Sequence, residues 1–295
     1  MKIAIFGKRT ENSIASTIGD FLAFLEKENP KFLIHEQFAT DLEEFIPEYA
    51  GLIQGKTFKT FQEISDYDFL FSFGGDGTFL NALRYAIPAQ IPVLGVNSGR
   101  LGFLTGVSQD GIIGAFKEIK KNMYRIELRV GMSVESNPPG LFSGQNFGLN
   151  DLTIHKSTTN EMITVHTYIN GEFLNSYWGD GLIISTPTGS TAYSLSCGGP
   201  IILPTAKSFV ITPVAPHSLT VRPLIIPDDV VVSFEIESRA GQAMVALDTR
   251  TELINQRTEI ALRRAEHPVK LVRLSSSNYL GNLRDRLMWG KDSRN

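Results

Sequence analysis

From residue 2 onward, short unbroken apolar runs alternate with longer segments in which apolar side chains recur every three or four positions. The runs KIAIFG, KFLIHEQF, DFLFSF and IPVLGVNS read as strands. The segments between and after them carry helical faces: Ile14, Ile18, Phe21, Leu22 and Leu25; then Phe79, Leu80, Leu83 and Ile87; then Ile112, Ile113, Phe116 and Ile119. That alternation predicts a three-layer α/β domain with a mainly parallel sheet. Near residue 125 the pattern changes. MITVHTYI, GLIIST, SFVITPVA, VVVSFEIES, EIALRRA and VKLVRL are short strand-like runs separated by Gly, Pro, Asn and Asp, with no long helix among them. They predict an all-β, sandwich-like second domain. The expected division is an α/β domain over 1–125 and a β-rich domain over 126–274. The last segment, NYLGNLRDRLMW, is expected to return to the first domain as a helix or strand extension, so that 275–295 complete it.

Composition narrows the function classes. Of 295 residues, 42% are hydrophobic and 20% charged, the profile of a globular and not a disordered chain. A net charge of -3 without a Lys/Arg stripe gives no field to hold a polyanion, so nucleic acid is not an expected partner. MKIAIFGKR is neither a signal peptide nor a span, and no later run is long enough to cross a membrane. A cytoplasmic protein is expected. The single cysteine, Cys197, excludes an internal disulfide and reads as a small buried hydrophobe, and the five histidines show no zinc-ligand spacing.

Candidate chemistry starts at FSFGGDGTFL, residues 71–80. One explanation is a strand, a Gly-rich exit and a helix capped by Thr78. The other is a phosphate site, because backbone N–H groups of Gly74, Gly75 and Gly77 can close on an anion at a helix start. Asp76 would repel phosphate there unless a cation or a reacting hydroxyl is also present. WGDGLIISTPTGSTAYSLSCGGPI, residues 178–201, crowds hydroxyl donors, glycines that leave backbone open and an aromatic surface in a way that suits a nucleotide or sugar. A long polar turn explains it as well. Upstream, GLNDLTIHK sets Asn150 and Asp151 before a strand, where an amide and a carboxylate can pair a purine edge or ribose hydroxyls, or simply form an Asx turn. Ligands of open α/β sheets bind beyond the carboxyl ends of the strands, and a downstream β domain can supply a second wall.

Taken together, GGDGT at 74–78, ND at 150–151 and GDGLIISTPTGSTAYSLSCGGPI at 179–201 resemble, in order and spacing, the signature segments of the NAD kinase family. VNSGRLGFL at 96–104 and PHSLTVRPLIIP at 216–227 extend the resemblance over most of the chain. It implies transfer of a phosphoryl group from ATP, another nucleoside triphosphate or polyphosphate to the 2′-hydroxyl of the adenosine ribose of NAD, giving NADP. It also implies the two-domain fold, a divalent cation (Mg or Mn) with ATP, no tightly bound organic cofactor, and a homodimer or homotetramer.

Carried over by position, the resemblance makes Asp76 the catalytic acid-base group, with Gly74, Gly75, Gly77 and Thr78 near the phosphates. Asp76, Gly77, Asn150, Asp151 and Asp180 would contact NAD. Thr191, Ala192, Tyr193, Ser194, Leu195 and Ser196 would line the adenine and ribose pocket, with Phe103 beside it. Three positions depart from the family pattern. Asp151 stands where many members have Glu, Trp178 where many have a basic residue, and Asp248-Thr249-Arg250 replaces a common Asp-Gly-Gln turn. Arg250 is expected to be solvated or to reach a phosphate. GGDGT is shared with diacylglycerol and sphingosine-type lipid kinases, which is the competing enzyme reading. A regulator that senses NAD(H) without turnover is the non-enzymatic one, and its expected mark, loss of the loop acid, is absent.

Overall fold

The computed structural model describes residues 1–8, 12–97, 99, 102–159, 161–275 and 279–288, with the side chains of 12–14 left out. Contacts divide the chain into two compact units, Met1–Glu127 with Lys270–Asn295, and Leu128–Val269. Ile14, named above for its helical face, lies outside the described side chains.

The first unit is built on strands β1 (Lys2–Gly7), β2 (Lys31–His35), β3 (Thr57–Phe58), β4 (Phe69–Phe73) and β5 (Val93–Asn97), in spatial order β3-β2-β1-β4-β5 and parallel throughout. β4 and β5 are buried at every position, which is why they read as unbroken apolar runs. From β1 the chain first moves outward to β2 and β3, then returns to the other side of β1 for β4. The order therefore reverses between β1 and β4, whose carboxyl ends meet with Gly7 beside Phe73. Helices Asn12–Glu28, Glu36–Phe45, Asp76–Ala89 and Ile112–Lys120 join the strands, and in their shared core Phe21 stacks on Phe71 and meets Phe73 tilted and Phe116 edge-on.

One strand sits elsewhere than its pattern suggested. VKLVRL, read with the β-rich half, is the strand Val269–Leu274 and pairs in parallel with β5 through Leu271 and Val93. Four of its last five positions are buried, including Arg273, so it is a central strand of the first sheet. Its mixed apolar and basic run fits an interior parallel strand as readily as an exposed antiparallel one, and only pairing partners distinguish the two. The following segment forms the helix Tyr279–Leu287, and residues 276–278 and 289–295 lie outside the described residues.

The second unit consists, among the described residues, of two six-stranded antiparallel sheets. One runs Leu224–Pro227, Ser208–Val214, Gly181–Ser185, Asp151–Lys156, Gln242–Leu247 and Arg250–Asn255 in spatial order. Inward positions alternate with exposed ones in Val232–Ser238 and Gln242–Leu247, as expected where one sheet face meets a core and the other meets water. Phe209 and Ile184 from one sheet and Val165 and Phe234 from the other share that core. Among the described residues, no helix is long and apolar enough to cross a membrane.

Candidate functional site

In the first unit, β4 ends at Phe73 and the Gly74 N–H donates to the Val96 carbonyl at 2.9 Å, which turns the chain out of the sheet. Gly75 is the helix N-cap and Asp76 the first helical residue. Thr78 is not the cap. Its N–H, with that of Phe79, instead donates to the Gly75 carbonyl at 3.0 and 3.1 Å. A Cβ on Gly75 or Gly77 would meet no protein atom within 4 Å, so packing does not demand glycine at either position.

The Asp76 carboxylate grips the segment 102–105. Oδ2 accepts the Phe103 N–H at 2.6 Å, while Oδ1 accepts the N–H groups of Leu104 and Thr105 at 3.0 and 3.2 Å and the Thr105 hydroxyl at 3.3 Å. A Cβ on Gly102 would lie 2.0 Å from Asp76 Oδ1, so glycine is required there by this approach. Phe103, expected beside the adenine pocket, is held by its backbone to Asp76, and its ring is covered by the Arg286 guanidinium at 4.5 Å. Arg273 donates to the Phe103 carbonyl at 3.4 Å and pairs with Glu127 at 3.3 Å. Burial lowers the pKa of both arginines; Glu127 chiefly opposes this at Arg273, and Asp76 at Arg286. Both stay cationic, because an arginine cannot be deprotonated in a protein. Neither appeared among the sequence-derived residues, since each comes from the C-terminal return of the chain. Ser98, Arg100 and Leu101 of VNSGRLGFL lie outside the described residues.

In the second unit, Asn150 and Asp151 sit where the chain enters the strand Asp151–Lys156. A buried carboxylate holds them. Asp248 accepts the N–H groups of Leu149, Asn150 and Asp151 at 2.8, 2.7 and 3.3 Å from the turn between Gln242–Leu247 and Arg250–Asn255. Burial, and then the charge of Asp248, push the Asp151 carboxyl up to about 7, and burial raises Asp248 as well. Asp248 was set aside in the sequence because its tripeptide departs from the family turn. A buried acceptor for three N–H groups is what the tripeptide retains. Arg250 is neither solvated nor free for a phosphate: it donates to the carbonyls of Gln145, Phe147 and Leu247 and so ties down the strand before Asn150.

The glycine-rich segment divides into framework and surface. The Thr186 hydroxyl donates to the Leu149 carbonyl at 2.6 Å, and the Ser190 hydroxyl to the Pro187 carbonyl at 2.7 Å. Gly189 crosses so near that a Cβ would lie 2.2 Å from the Asn150 carbonyl oxygen. Ser194, expected in the pocket lining, is fully buried with its hydroxyl on Thr212 at 2.8 Å, which makes it framework. Tyr193 and Ser196 are exposed, and Thr191, Ala192 and Leu195 half-buried. Burial, then Cys197, and more weakly the charges of Asp180 and Asp151, raise the pKa of Tyr193. Asp180 pairs with Lys156 at 2.6 Å. Trp178 stacks on His217 with ring centroids 4.2 Å apart, joining PHSLTVRPLIIP to this segment. Cys197 is half-buried and not enclosed, because it caps the short helix Tyr193–Ser196.

Two family models match the chain: the ATP-NAD kinase N-terminal domain over residues 3–124 and the ATP-NAD kinase C-terminal domain over 149–274. It is similar to the NAD kinase of Flavobacterium johnsoniae, 41% identical with both chains fully covered, and to that of Cytophaga hutchinsonii, 39% identical with both fully covered. Among solved structures it resembles yeast NADH kinase complexed with NADH, with TM-score 0.84 at 21% identity, covering 99% of this chain and 88% of the other. It also resembles an NAD kinase from Archaeoglobus fulgidus in complex with ATP, with TM-score 0.72 at 22% identity, covering 98% and 99%. At these identities the two structures speak for the fold.

Proposed function

The chain belongs to the NAD kinase family and phosphorylates NAD, and we propose that Asp76 is the group that receives the proton of the attacking 2′-hydroxyl. The observation that carries this reading is the asymmetry of its carboxylate. Oδ1 takes three donors from Leu104 and Thr105, whereas Oδ2 takes only the Phe103 N–H and keeps an acceptor position. As the ribose oxygen bonds to phosphorus, the bond from phosphorus to the donor's bridging oxygen breaks, and the hydroxyl proton passes to Oδ2. Phosphoryl transfer has a loose transition state, so alignment and charge neutralisation matter more than base strength. Arg286 supplies positive charge beside Asp76. The helix start at Gly75–Asp76 offers N–H groups to the transferred phosphate.

Asn150, Asp151 and Tyr193 are the residues we assign to NAD, through its ribose hydroxyls and adenine, with Asp180 nearby. A divalent cation does not fit a cage of protein ligands. Among the described residues no three His, Cys, Asp or Glu side chains cluster to hold one. We therefore read the cation as part of the donor substrate, carried on its phosphate oxygens. The family's homo-oligomeric habit agrees with large apolar side chains exposed on the β unit, among them Phe173, Trp178, Ile225 and Leu253.

The test is an assay of purified protein with Mg·ATP and NAD, NADP being measured with an enzyme that ignores NAD. Asp76→Asn should lower kcat by about 10² or more, the range of general-base help, while NAD and ADP still bind. The amide also sets an NH₂ against a backbone N–H of 103–105, so thermal melting is followed alongside. A folded variant that keeps more than about a third of wild-type kcat removes Asp76 from the chemistry.

A further inference from the structure

Thr105 is fully buried, and its hydroxyl stands between a backbone N–H and the Asp76 carboxylate. Oγ1 accepts the Gly102 N–H at 3.1 Å and donates to Asp76 Oδ1 at 3.3 Å. The two bonds run in one direction, so each polarises the next and the chain ends on the carboxylate. Among the described residues, the other three donors on Asp76 are the backbone N–H groups of Phe103, Leu104 and Thr105. The Thr105 hydroxyl is the donor that a side chain supplies, and so the one that substitution can remove.

The backbone that carries this hydroxyl is held from several sides. A Cβ on Gly95, in the middle of the buried strand β5, would lie 2.8 Å from the Thr105 Cα and 3.0 Å from the Leu104 carbonyl oxygen, so the strand lies directly against the loop. The Gly106 N–H donates to the Gly95 carbonyl at 3.1 Å and fixes the chain just after Thr105. Just before it, the Phe103 carbonyl is held by Arg273 at 3.4 Å. A Cβ on Gly102 would stand 2.6 Å from the Thr105 Oγ1 and 2.0 Å from Asp76 Oδ1, so loop, hydroxyl and carboxylate share one tight contact. Threonine suits the position, because two heavy atoms on its Cβ restrict the side-chain torsion. The hydroxyl therefore has a fixed place, as a supporting group around a reacting one requires.

The last torsion of an aspartate is broad, so a carboxylate turns easily about it unless its partners define the plane. A fourth bond, made by a side chain in addition to the backbone donors, narrows that torsion. We propose that Thr105 is a positioning residue for the phosphoryl transfer, its hydroxyl holding the plane of the Asp76 carboxylate so that Oδ2 keeps its open acceptor position toward the reacting hydroxyl. The inference rests on the assignment of Asp76 above, and Thr105 acts through that residue. Two effects of the bond oppose each other: a donor makes any carboxylate a weaker base, and it also aligns the oxygen that receives the proton. In a loose transition state alignment outweighs base strength, which fixes the sign. Removing the hydroxyl slows the reaction.

Thr105→Val keeps the shape and removes the donor. Its kcat should fall about tenfold, with the KM for NAD and for ATP within about twofold of wild type. Thr105→Ser restores the hydroxyl and should recover roughly half of wild-type kcat or more. Valine also leaves the Gly102 N–H without this acceptor, so Thr105→Ala is measured beside it, with circular dichroism and thermal melting to define the folded fraction, and the folded fraction of either variant should show the same fall. Coupling to Asp76 is the readout that a merely structural role would not move. In the Asp76→Asn background, Thr105→Val should change the remaining kcat by less than about twofold. An equal loss in both backgrounds overturns the proposal, as does a wild-type or raised kcat in the folded valine and alanine variants. An Asp76→Asn single variant that keeps more than about a third of wild-type kcat defeats the proton-acceptor reading itself, and the role of Thr105 with it, by a measurement that no Thr105 variant enters.

Discussion

The Asn150 N–H donates to Asp248 Oδ1 at 2.7 Å across 98 positions of sequence, and the same carboxylate holds Leu149 and Asp151. A buried acid from one β-turn thus sets the backbone of the pair we assign to NAD.

Asp248→Asn keeps the volume but replaces one acceptor by an NH₂, leaving buried N–H groups opposed. An unsatisfied buried group costs about 1–3 kcal/mol. The KM for NAD should rise about tenfold or more with kcat changed much less, because the contact serves binding in ground and transition states alike. The pH dependence of the KM should also move to lower pH, since the Asp248 charge is the second cause raising Asp151. A loss of stability with an unmoved pH profile would show Asp248 to be framework alone.

Asp151 yields a pH prediction whose sign follows from burial. Its carboxyl is raised to about 7 in the folded protein, and burial is the chief cause. The folded state thus holds a proton that the unfolded state has released above about pH 4. Its contribution therefore lowers stability as pH rises from about 4 to about 7, and the deficit stays constant above that. At about 1.4 kcal/mol per pH unit the full effect approaches roughly 4 kcal/mol. Asp151→Asn cannot ionise, so urea melts at pH 5 and pH 8 should show the variant gaining on wild type at the higher pH. Equal differences at both pH values would place the carboxyl at an ordinary value.

Gly102→Ala places a methyl 2.0 Å from Asp76 Oδ1, an oxygen fixed by three donors. Either the carboxylate or the loop must move. We expect kcat to fall by about 10², since misplacement by about an ångström suffices for that loss, with NAD affinity retained. Gly51→Ala, where a Cβ meets nothing within 4 Å, serves as the control and should behave as wild type.

Arg286→Ala removes the cation over Phe103 and beside Asp76. A drop in kcat of about tenfold, ~1.4 kcal/mol in the barrier, is expected, with partial recovery in Arg286→Lys. Stopped turnover together with a lowered melting temperature in the alanine variant, and no recovery with lysine, would make Arg286 a packing residue.

Local pattern was enough to disclose much of this protein. The β4 run followed by GGDG announces a strand, a turn and a helix start through backbone sterics, and the change from helical to strand spacing near residue 125 announces a different architecture. Asn150 and Asp151 stand out because an amide beside an acid at a strand entrance is chemically conspicuous. What the pattern could not carry is pairing across distance. VKLVRL returns to the first sheet because it finds the edge of β5, an outcome its own six residues do not specify. Arg273 meets Phe103 across 170 positions, and Asp248 meets Asn150 across 98, so their roles exist only once the chain has closed on itself. Ser194 and Arg250 show the converse. Polar side chains that look ready for a ligand are consumed by internal acceptors, since a buried donor must be satisfied and only the fold determines which donors are buried.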